Sequence, residues 1–566
     1  MKNNKKMKAT TITLAMLLTS SAMLAACSSK DNNTAASTAA PSNNAASPSD
    51  SAAPSEKPTG AKPKITVSIY DRNAIPEGEG TYTDNRWTKW INEHAPVQVE
   101  FVPVPRNNSI EKWNVLFASG EAPDLVMEFS NPYMKELASK GQLIPLDEAI
   151  SKYSTNYKTM IEGNEILQKL TNFNGETYFF GRSMPFTTNQ FIMIRKDWLD
   201  KLNLQMPKTA EDYLAVAKAF TEQDPDGNGK KDTLGTTFHD VDFFFQLGQA
   251  SDELLPMSMI SSYHLSNDQY ERTWDRPTAD LAFKKALYDA GVVDKDIFAD
   301  KNGQKAQQDW INGKLGIWGA GGLESATQYT TYESFKKNNP DAEVAILPLP
   351  QTEFGQFAPA LNPIAQFTAG INATAKNVEA VVQYVDWLMT PEVQQTLMFG
   401  IEGENYTIGA DGCPKPIDPE KNKKELSWNG DYQMMSQLGT MGKCVDYSNQ
   451  LDPEKPLDKE YLSLVEQGRA AYLSADRPLT SEVVLPTTLP EDLTVNKNTL
   501  KTTLTNIYTK AIVSGSSYTV DQAMKEAQNA WEKGGGKAID DFFKQAYVDN
   551  KDKVIYTKDY YNFLTK

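Results

Sequence analysis

The sequence is poor in the residues that hold transition metals and haem. Its 566 residues include three cysteines and three histidines: Cys27, Cys413, Cys444, His94, His239 and His264. No group of them has the spacing of a zinc or haem ligand set. This scarcity argues against a transition-metal enzyme.

The sequence also lacks an excess of basic residues. Fifty-seven lysines and arginines stand against 73 aspartates and glutamates, which leaves a formal net charge of −16. Such a surface repels phosphate backbones, so we expect no nucleic-acid partner. A composition of 40% hydrophobic residues favours a folded chain, and its length exceeds the roughly 250–300 residues of one hydrophobic core, which predicts at least two lobes.

Long apolar runs are absent after residue 27, and the run before it is typical of an export signal. Four lysines precede an apolar stretch over residues 9–24, which is short for a bilayer span. The stretch ends in LAAC at Cys27, which resembles a bacterial lipobox. We therefore expect cleavage after residue 26 and a diacylglycerol anchor with palmitate-type chains on Cys27. A plain secretory signal with an A-x-A-like cleavage site is the alternative.

Residues 27–63 carry almost nothing that can be buried. After Cys27 they are mostly serine, alanine, asparagine, proline and threonine. This composition predicts a disordered tether between the lipid and a body that occupies residues 64–566.

The body begins with alternating strand and helix patterns. Residues 64–70, 97–102 and 123–127 read as strands, with helical stripes between them that end near His94 and at Gly120. This alternation predicts a parallel sheet with covered faces. Helices are also predicted over 209–220, capped by Thr209, over 377–389, from Pro391, and from a Thr519 cap to Trp531.

Five segments together carry a resemblance. They are LFASGEAPDLV at 116–126, NGETY at 174–178, IRKDWL at 194–199, NGKLG at 312–316 and YVDWLMTPE at 384–392. In this order the sequence resembles the extracellular solute-binding lipoproteins of bacterial ABC sugar importers, family 1 and LplA-like. The resemblance runs from about residue 65 to the region 531–547.

The resemblance implies an α/β fold of the two-lobed periplasmic-binding-protein type II, with a ligand cleft between the lobes. The first lobe is expected over about 64–185 plus part of 366–400, and the second over about 186–365 plus the C-terminal helices. It also implies a monomeric, extracellular, membrane-anchored protein that is not an enzyme. Such a protein captures an oligosaccharide and delivers it to a membrane permease. We expect a neutral sugar, and a modified or acidic saccharide is the alternative that the sequence leaves open.

Ligands of open α/β sheets lie outside the carboxyl ends of strands, and sugars need aromatic platforms beside polar side chains. These two rules and the resemblance give the following candidates: Phe129, Ser130, Asn131, Tyr178, Phe180, Arg182, Trp318, Glu402, Glu404 and Tyr406.

Each candidate has a structural alternative. Tyr178 and Phe180 could be core residues, and Arg182 a surface ion pair. Trp318 could cover a sheet edge, although the glycines around it favour contact with a ligand.

The segment DPDGNGKKD at 224–232 has the spacing of an EF-hand loop. It places a glycine at loop position 6 and oxygen ligands at the positions that calcium requires, with Lys230 contributing its carbonyl: Asp224, Asp226, Asn228, Lys230 and Asp232. We expect a structural calcium ion here. A solvated turn rich in the same residues is the alternative.

The calcium loop departs from the pattern at its end. Position 12 is Gly235 instead of glutamate, and Thr233 stands where alginate-binding relatives carry an acid. Water or a distant carboxylate would then complete the calcium shell.

Three questions stay open from the sequence. A lipid-anchored carbohydrate enzyme needs only two carboxylates about 5–10 Å apart, which a chain with 73 acids could supply, although no familiar catalytic motif is found. A surface adhesin would carry the same anchor and tether. Cys413 and Cys444 form either a disulfide or two buried thiols.

Overall fold

The computed structural model describes residues 61–560, apart from 186, 188–189, 240, 248–261, 301–302, 360–364, 439–440, 475–476, 480–481 and 488. The predicted signal peptide, Cys27 and the tether as far as residue 60 lie outside the described residues.

Residues 64–183 form the first run of strands and helices. In chain order they are β1 (Lys64–Asp71), α1 (Arg86–His94), β2 (Gln98–Pro105), α2 (Ser109–Ser119), β3 (Leu125–Glu128), α3 (Asn131–Ser139), α4 (Asp147–Tyr153), α5 (Asn156–Glu162), α6 (Glu165–Thr171), β4 (Asn172–Phe173), β5 (Glu176–Thr177) and β6 (Phe180–Ser183).

Residues 190–346 form the second run. It comprises β7 (Gln190–Arg195), α7 (Lys196–Lys201), α8 (Ala210–Glu222), β8 (Tyr263–Ser266), β9 (Gln269–Arg272), α9 (Asp275–Asp289), α10 (Gln304–Ile311), β10 (Ile317–Gly321), α11 (Ala326–Asn338) and β11 (Val344–Ile346).

The remaining elements follow from residue 365. They are β12 (Ala365–Ile371), α12 (Val378–Leu388), α13 (Pro391–Phe399), β13 (Tyr406–Ile408), β14 (Pro414–Pro416), α14 (Pro419–Leu426), α15 (Pro456–Tyr472), β15 (Val483–Val484), α16 (Glu491–Val513), α17 (Val520–Lys533), α18 (Gly536–Asp549) and β16 (Ile555–Tyr556). None of the described helices is long and apolar enough to cross a membrane.

Two main sheets organise the body. The first has the strand order β2-β1-β3-β12-β6, in which β1 is parallel to β2 and β3 while β12 is antiparallel to β3 and β6. The carboxyl ends of β1, β2, β3 and β6 therefore lie at one edge. The second has the order β10-β7-β11, and both pairings are antiparallel.

The prediction of parallel pairing, which was made for the strands over residues 64–127, is confirmed for β1, β2 and β3. The second sheet, which that prediction did not cover, is antiparallel. The connections that join β7 to β10 and β10 to β11 are long, and a long connection can return a strand in either direction. Strand–helix alternation alone does not determine that direction.

Each sheet is packed into its own large hydrophobic cluster. One cluster runs from Ile65 to Phe180 and resumes from Phe367 to Met435. The other runs from Phe191 to Phe357 and resumes from Leu451 to Ile539. We call these the first and second lobes. The chain passes between them three times, in segments that we call the first, second and third crossings. Their described residues are 184–185 with 187, then 359, and then 436–438 with 441–450.

Local capping explains several helix starts. The Thr209 hydroxyl accepts a hydrogen bond from the Asp212 amide, and the Asp212 carboxylate accepts one from the Thr209 amide. Thr519 and Gln522 form the same reciprocal pair at α17, so both predicted caps are confirmed. Helix α13 begins at Pro391 as predicted. Its cap residue Thr390, however, donates its hydroxyl to the Trp387 carbonyl at 2.9 Å instead of bonding α13.

Cys413 and Cys444 form a disulfide, with their Cα atoms 5.3 Å apart. The bond joins the end of the β13–β14 hairpin region to the third crossing. The Lys415 ammonium strengthens this connection by donating to the Asn449 carbonyl in the same crossing. The alternative of two buried thiols is thereby excluded.

Candidate functional site

A cavity of about 820 Å³ lies between the two lobes. Its walls include Met184, Pro185 and Thr187 of the first crossing, residues between Gly322 and Glu333 of the second lobe, and residues between Met398 and Gln450 of the first lobe and third crossing. A volume of this size can hold a short oligosaccharide, because ligand cavities in proteins are commonly ~300–1,000 Å³.

The second-lobe wall of the cavity carries a carboxylate pair joined by one guanidinium. Glu324 follows β10 and Asp446 lies in the third crossing, and both line the cavity. Arg469 of α15 donates Nε to Glu324 at 3.0 Å and Nη2 to Asp446 at 3.2 Å. Burial and the neighbouring Glu324 carboxylate raise the pKa of Asp446 to about 6, although Arg469 opposes them.

Aromatic side chains face the same cavity from both lobes. Tyr329 of α11 packs at 5.5 Å between ring centroids from Tyr447 of the third crossing. Tyr406 of β13 lies 6.2 Å from Phe399, and its hydroxyl accepts a hydrogen bond from Gln395 at 2.7 Å. These rings give the cavity apolar surface beside its carboxylates.

A second group, the strand-end cluster, lies at the carboxyl edge of the first-lobe sheet. Tyr70, at the end of β1, stacks on Phe129 with centroids 5.6 Å apart and an interplanar angle of 14°. Arg106, just after β2, lies over both rings, 5.2 Å from Tyr70 and 4.8 Å from Phe129. Arg72 makes a bidentate ion pair with buried Asp431 at 2.7 and 2.9 Å.

Arg182 is part of the strand-end cluster because it lies near the end of β6 and its guanidinium interacts electrostatically with Asp431. It lies on β6, two residues before Met184 of the cavity wall, and burial lowers its pKa to about 10 while Asp431 opposes that shift. Its Nε atom is buried and has no hydrogen-bond partner among the described residues. The cluster thus contains Arg72, Arg106, Arg182 and Asp431.

The other first-lobe candidates, Ser130, Asn131 and Tyr178, make contacts with neighbouring residues of the same lobe. Ser130 caps α3 and donates its amide to the Glu128 carboxylate at 3.0 Å, and Asn131 accepts from the Thr368 hydroxyl at 3.0 Å. Tyr178 packs edge-on against Phe173 at 5.8 Å.

Phe180 is fully buried against Tyr157, with their ring centroids 5.0 Å apart. Like Tyr178, Phe180 packs in the manner of the core alternative.

Trp318 lies in the core of the second lobe and does not line the cavity. It is 5% exposed, stacks on Trp310 at 5.5 Å and meets Phe191 edge-on at 6.2 Å. The glycines near it have other causes: a Cβ on Gly316 would lie 2.2 Å from the Phe220 ring, and Gly322 has a φ of +51°. This placement agrees with the packing alternative for Trp318.

Of the candidates after α13, Tyr406 alone lines the cavity. Glu402 and Glu404 are exposed. Glu404 contributes its backbone carbonyl to Lys421 at 3.2 Å.

In the candidate calcium loop, the carboxylates of Asp226 and Asp232 both contact the side chain of Asn228. The Asn228 amide nitrogen donates to Asp226 at 2.6 Å and to Asp232 at 3.0 Å. Burial and the neighbouring Asp224 and Asp232 carboxylates raise the pKa of Asp226. Asp224 Oδ1 is buried and has no hydrogen-bond partner within the described ranges. Within the described residues, no three acidic, histidine or cysteine side chains are already arranged as metal ligands. The donor set is nevertheless oxygen-rich and anionic, as calcium requires.

The end of the loop shows why position 12 lacks an acid. A Cβ on Gly235 would lie 2.3 Å from the Ala217 carbonyl oxygen of α8. Thr233 donates its hydroxyl to the Phe220 carbonyl at 2.8 Å. Both residues hold the loop against α8, so neither position offers a carboxylate to a cation.

Several residues of the cavity wall and of the strand-end cluster were not predicted from the sequence. Tyr70 lies at the end of β1, and Arg72 and Arg106 directly follow β1 and β2; these positions are the signal that could have found them. Asp431 and Arg469 carry no local signal, because their partners Arg72 and Glu324 are 359 and 145 residues away.

Two α/β lobes joined by crossings, with a cavity between them, define a solute-binding protein. The sequence matches the family of bacterial extracellular solute-binding proteins over residues 77–395. The chain belongs to that family, and the fold and family predictions are confirmed.

Two curated relatives come from Bacillus subtilis. Lipoprotein LipO is 27% identical over 380 residues, 64% of this chain and 71% of LipO. The polygalacturonan/rhamnogalacturonan-binding protein YtcQ is 24% identical over 492 residues, 82% of this chain and 89% of YtcQ.

Solved structures share the fold at lower identity. The solute-binding protein of Bifidobacterium longum infantis described as binding HMO has a TM-score of 0.66 at 16% identity, covering 86% of this chain and 99% of that one. An EF-hand mutant of FusA, an ABC-transporter substrate-binding protein of Streptococcus pneumoniae, has a TM-score of 0.62 at 17% identity, covering 86% and 100%.

Proposed function

We propose that this protein is the substrate-binding component of an ABC importer, and that it captures an oligosaccharide between its lobes and delivers it to a membrane permease. The observation that carries the proposal is the cavity of about 820 Å³ to which both lobes contribute walls. A ligand that contacts both walls favours the closed arrangement of the lobes, and a permease can recognise that arrangement.

The chemistry of the cleft supports a carbohydrate ligand. Sugars present flat C–H faces surrounded by hydroxyl groups, which suit aromatic rings next to carboxylates and guanidinium groups. Tyr329, Tyr406 and Tyr447 supply rings, and Glu324 and Asp446 supply acceptors. The names of YtcQ and of the HMO-binding protein agree with this class of ligand.

Isothermal titration calorimetry of the body from residue 61, with a panel of neutral and acidic oligosaccharides, tests the proposal. We expect saturable binding of at least one member, and chromatography should recover that sugar unchanged. Absence of binding across the panel would contradict oligosaccharide capture. Release of shortened sugars would favour the enzyme alternative, and binding only to insoluble polymers or cell surfaces would favour an adhesin.

We also propose that Cys27 carries the lipid that holds the protein on the extracellular face of the membrane. The LAAC motif and the name of the relative LipO support this. Cys27→Ser should move the protein from the membrane fraction to the medium. Unchanged membrane retention in that variant would contradict the proposal.

Finally, we propose that the 224–232 loop binds a structural calcium ion. Asp224, Asp226, Asn228 and Asp232 would hold it with side-chain oxygens, and Lys230 with its carbonyl. Asp224 Oδ1 is buried with no hydrogen-bond partner among the described residues, and the pKa of Asp226 is raised; both support a cation in this loop. The EF-hand named in the FusA structure agrees with this.

A further inference from the structure

The strand-end cluster concentrates arginine in a chain that otherwise uses little of it. The sequence contains nine arginines and 48 lysines, and its formal net charge is −16. Three of the nine, Arg72, Arg106 and Arg182, lie at the carboxyl edge of the first-lobe sheet, which is where ligands of open α/β sheets settle. Arginine differs from lysine in presenting a planar fork that matches a carboxylate.

The carboxylates near these arginines do not balance them. Asp431 makes a bidentate ion pair with Arg72. Its carboxylate is also the negative charge that acts on Arg182 and raises the pKa of that guanidinium. Glu128, the buried acid at the end of β3, is already bonded to the Trp113 indole at 3.1 Å and to the Ser130 amide at 3.0 Å. Two guanidinium groups, those of Arg106 and Arg182, are therefore left without an ion pair among the described residues.

Arg182 gives the strongest sign of a missing partner. Its buried Nε has no hydrogen-bond acceptor in the part of the chain that the structure describes, and burial lowers its pKa. Buried polar groups in folded proteins are almost always satisfied, and an unpaired buried charge is costly. A group from outside the chain that brings negative charge to Arg182 would remove that cost.

The aromatic pair beside the arginines fits the rest of such a ligand. Tyr70 and Phe129 stack nearly parallel at 5.6 Å, and the Arg106 guanidinium lies over both rings. Tyr70 is 1% exposed and Phe129 is partly exposed, so the Phe129 ring is the apolar surface on which a pyranose ring can pack while its carboxylate reaches a guanidinium group.

We infer that the strand-end cluster recognises the carboxylate of an acidic oligosaccharide, one that contains uronic-acid residues, with Arg182 as the principal partner. This inference rests on the proposed function and narrows it from oligosaccharides in general to acidic ones. It departs from the neutral ligand that the sequence led us to expect.

Matched sugars test the inference. Trigalacturonic acid and trimannuronic acid are titrated into the protein by calorimetry, alongside their fully methyl-esterified forms and maltotriose. The esters keep the size and ring of the sugar and lose the charge. We expect at least one acid to bind roughly ten- to a hundredfold more tightly than its ester, because charge-assisted hydrogen bonds are lost with the carboxylate.

Variants assign the effect to Arg182. Arg182→Gln should abolish the preference for the acid over its ester while leaving the melting temperature unchanged or higher, because an unpaired buried charge is removed. Arg182→Lys should keep part of the preference. Lys89→Gln removes one charge from an exposed side chain of α1 in the same lobe; it is the control and should bind like the parent protein.

The outcomes separate the two proposals. Equal or tighter binding of an ester or of maltotriose would overturn the acidic class while supporting oligosaccharide capture. An acid preference that survives in Arg182→Gln would overturn the role of Arg182. If neither these sugars nor the wider panel bind, the inference and the proposed function both fail.

Discussion

Replacement of Lys284 by methionine should strongly destabilise the second lobe. Lys284 lies on α9, and its ammonium contacts Asp242 and, at 3.0 Å, Asp280. The side chains of Lys284 and Asp280 are 2% and 0% exposed. Lys284→Met would remove the cation that compensates the fully buried carboxylate of Asp280 and contacts Asp242.

The size of the effect follows from that burial. Removing one partner of a buried ion pair typically costs about 3–5 kcal/mol. For a lobe of roughly 200–250 residues, each kcal/mol lowers the melting temperature by about 2–4 °C, so we expect a decrease of roughly 6–20 °C. The methionine fills a similar volume, so a cavity should contribute little.

The best control is a pair with the same spacing on an exposed helix. Lys537 and Asp541 of α18 are also four residues apart, with side chains 77% and 63% exposed. Lys537→Met should change the free energy of unfolding by about 0.5 kcal/mol or less. Differential scanning calorimetry of both variants makes the comparison, and equal melting of the two would refute the reasoning.

The same pair predicts how stability depends on pH. Burial and the nearby Asp242 raise the pKa of Asp280 from 3.8 to about 7, although Lys284 opposes them. Between these values the folded protein holds the proton more tightly than the unfolded chain does, so Asp280 makes the fold less stable as the pH rises from about 4 to 7. Asp280→Asn should flatten that part of the stability profile, and an unchanged profile would contradict the assignment.

Three further variants address the cleft and the loop. Trp318→Ala should lower the free energy of unfolding by roughly 3–5 kcal/mol, because the ring is buried in the core, and denaturant unfolding measures this. Sugar affinity should stay unchanged. A loss of affinity at constant stability would contradict the core placement. Asp446→Asn should remove a loss of stability as the pH rises from about 4 to 6, because Asp446 has a pKa of about 6 in the fold; melting curves across that range check it. Asp226→Ala should lower the melting temperature in calcium and not in chelator, whereas identical melting of the parent protein in the two buffers would argue against a calcium site.

Elements with local signals could be predicted from the sequence. The first-lobe strands over 64–71 and 125–128 follow their hydrophobic patterns closely, and α8 and α17 begin where their capping residues predict. These features depend on neighbours a few residues away, which a single sequence contains.

Elements that depend on distant partners could not be predicted. The glycines around Trp318 indicated close approach of a ligand, but Gly316 makes room for Phe220 of α8. The pair of Arg72 and Asp431 spans 359 residues. Periodicity contains no information on either contact, so the candidate site was predicted in part and its arginines were missed except for Arg182.

The three crossings mean that neither lobe is a continuous piece of chain. The first lobe needs residues on both sides of the second lobe's sheet, so no simple truncation of the gene would yield one lobe alone. A protease that cuts one crossing would leave the lobes linked by the other two. A cut between residues 436 and 443 would leave the downstream end still bonded to the first lobe through Cys444 and Cys413. Nicked molecules should therefore appear as two bands on a reducing denaturing gel while they migrate as one intact protein under native conditions.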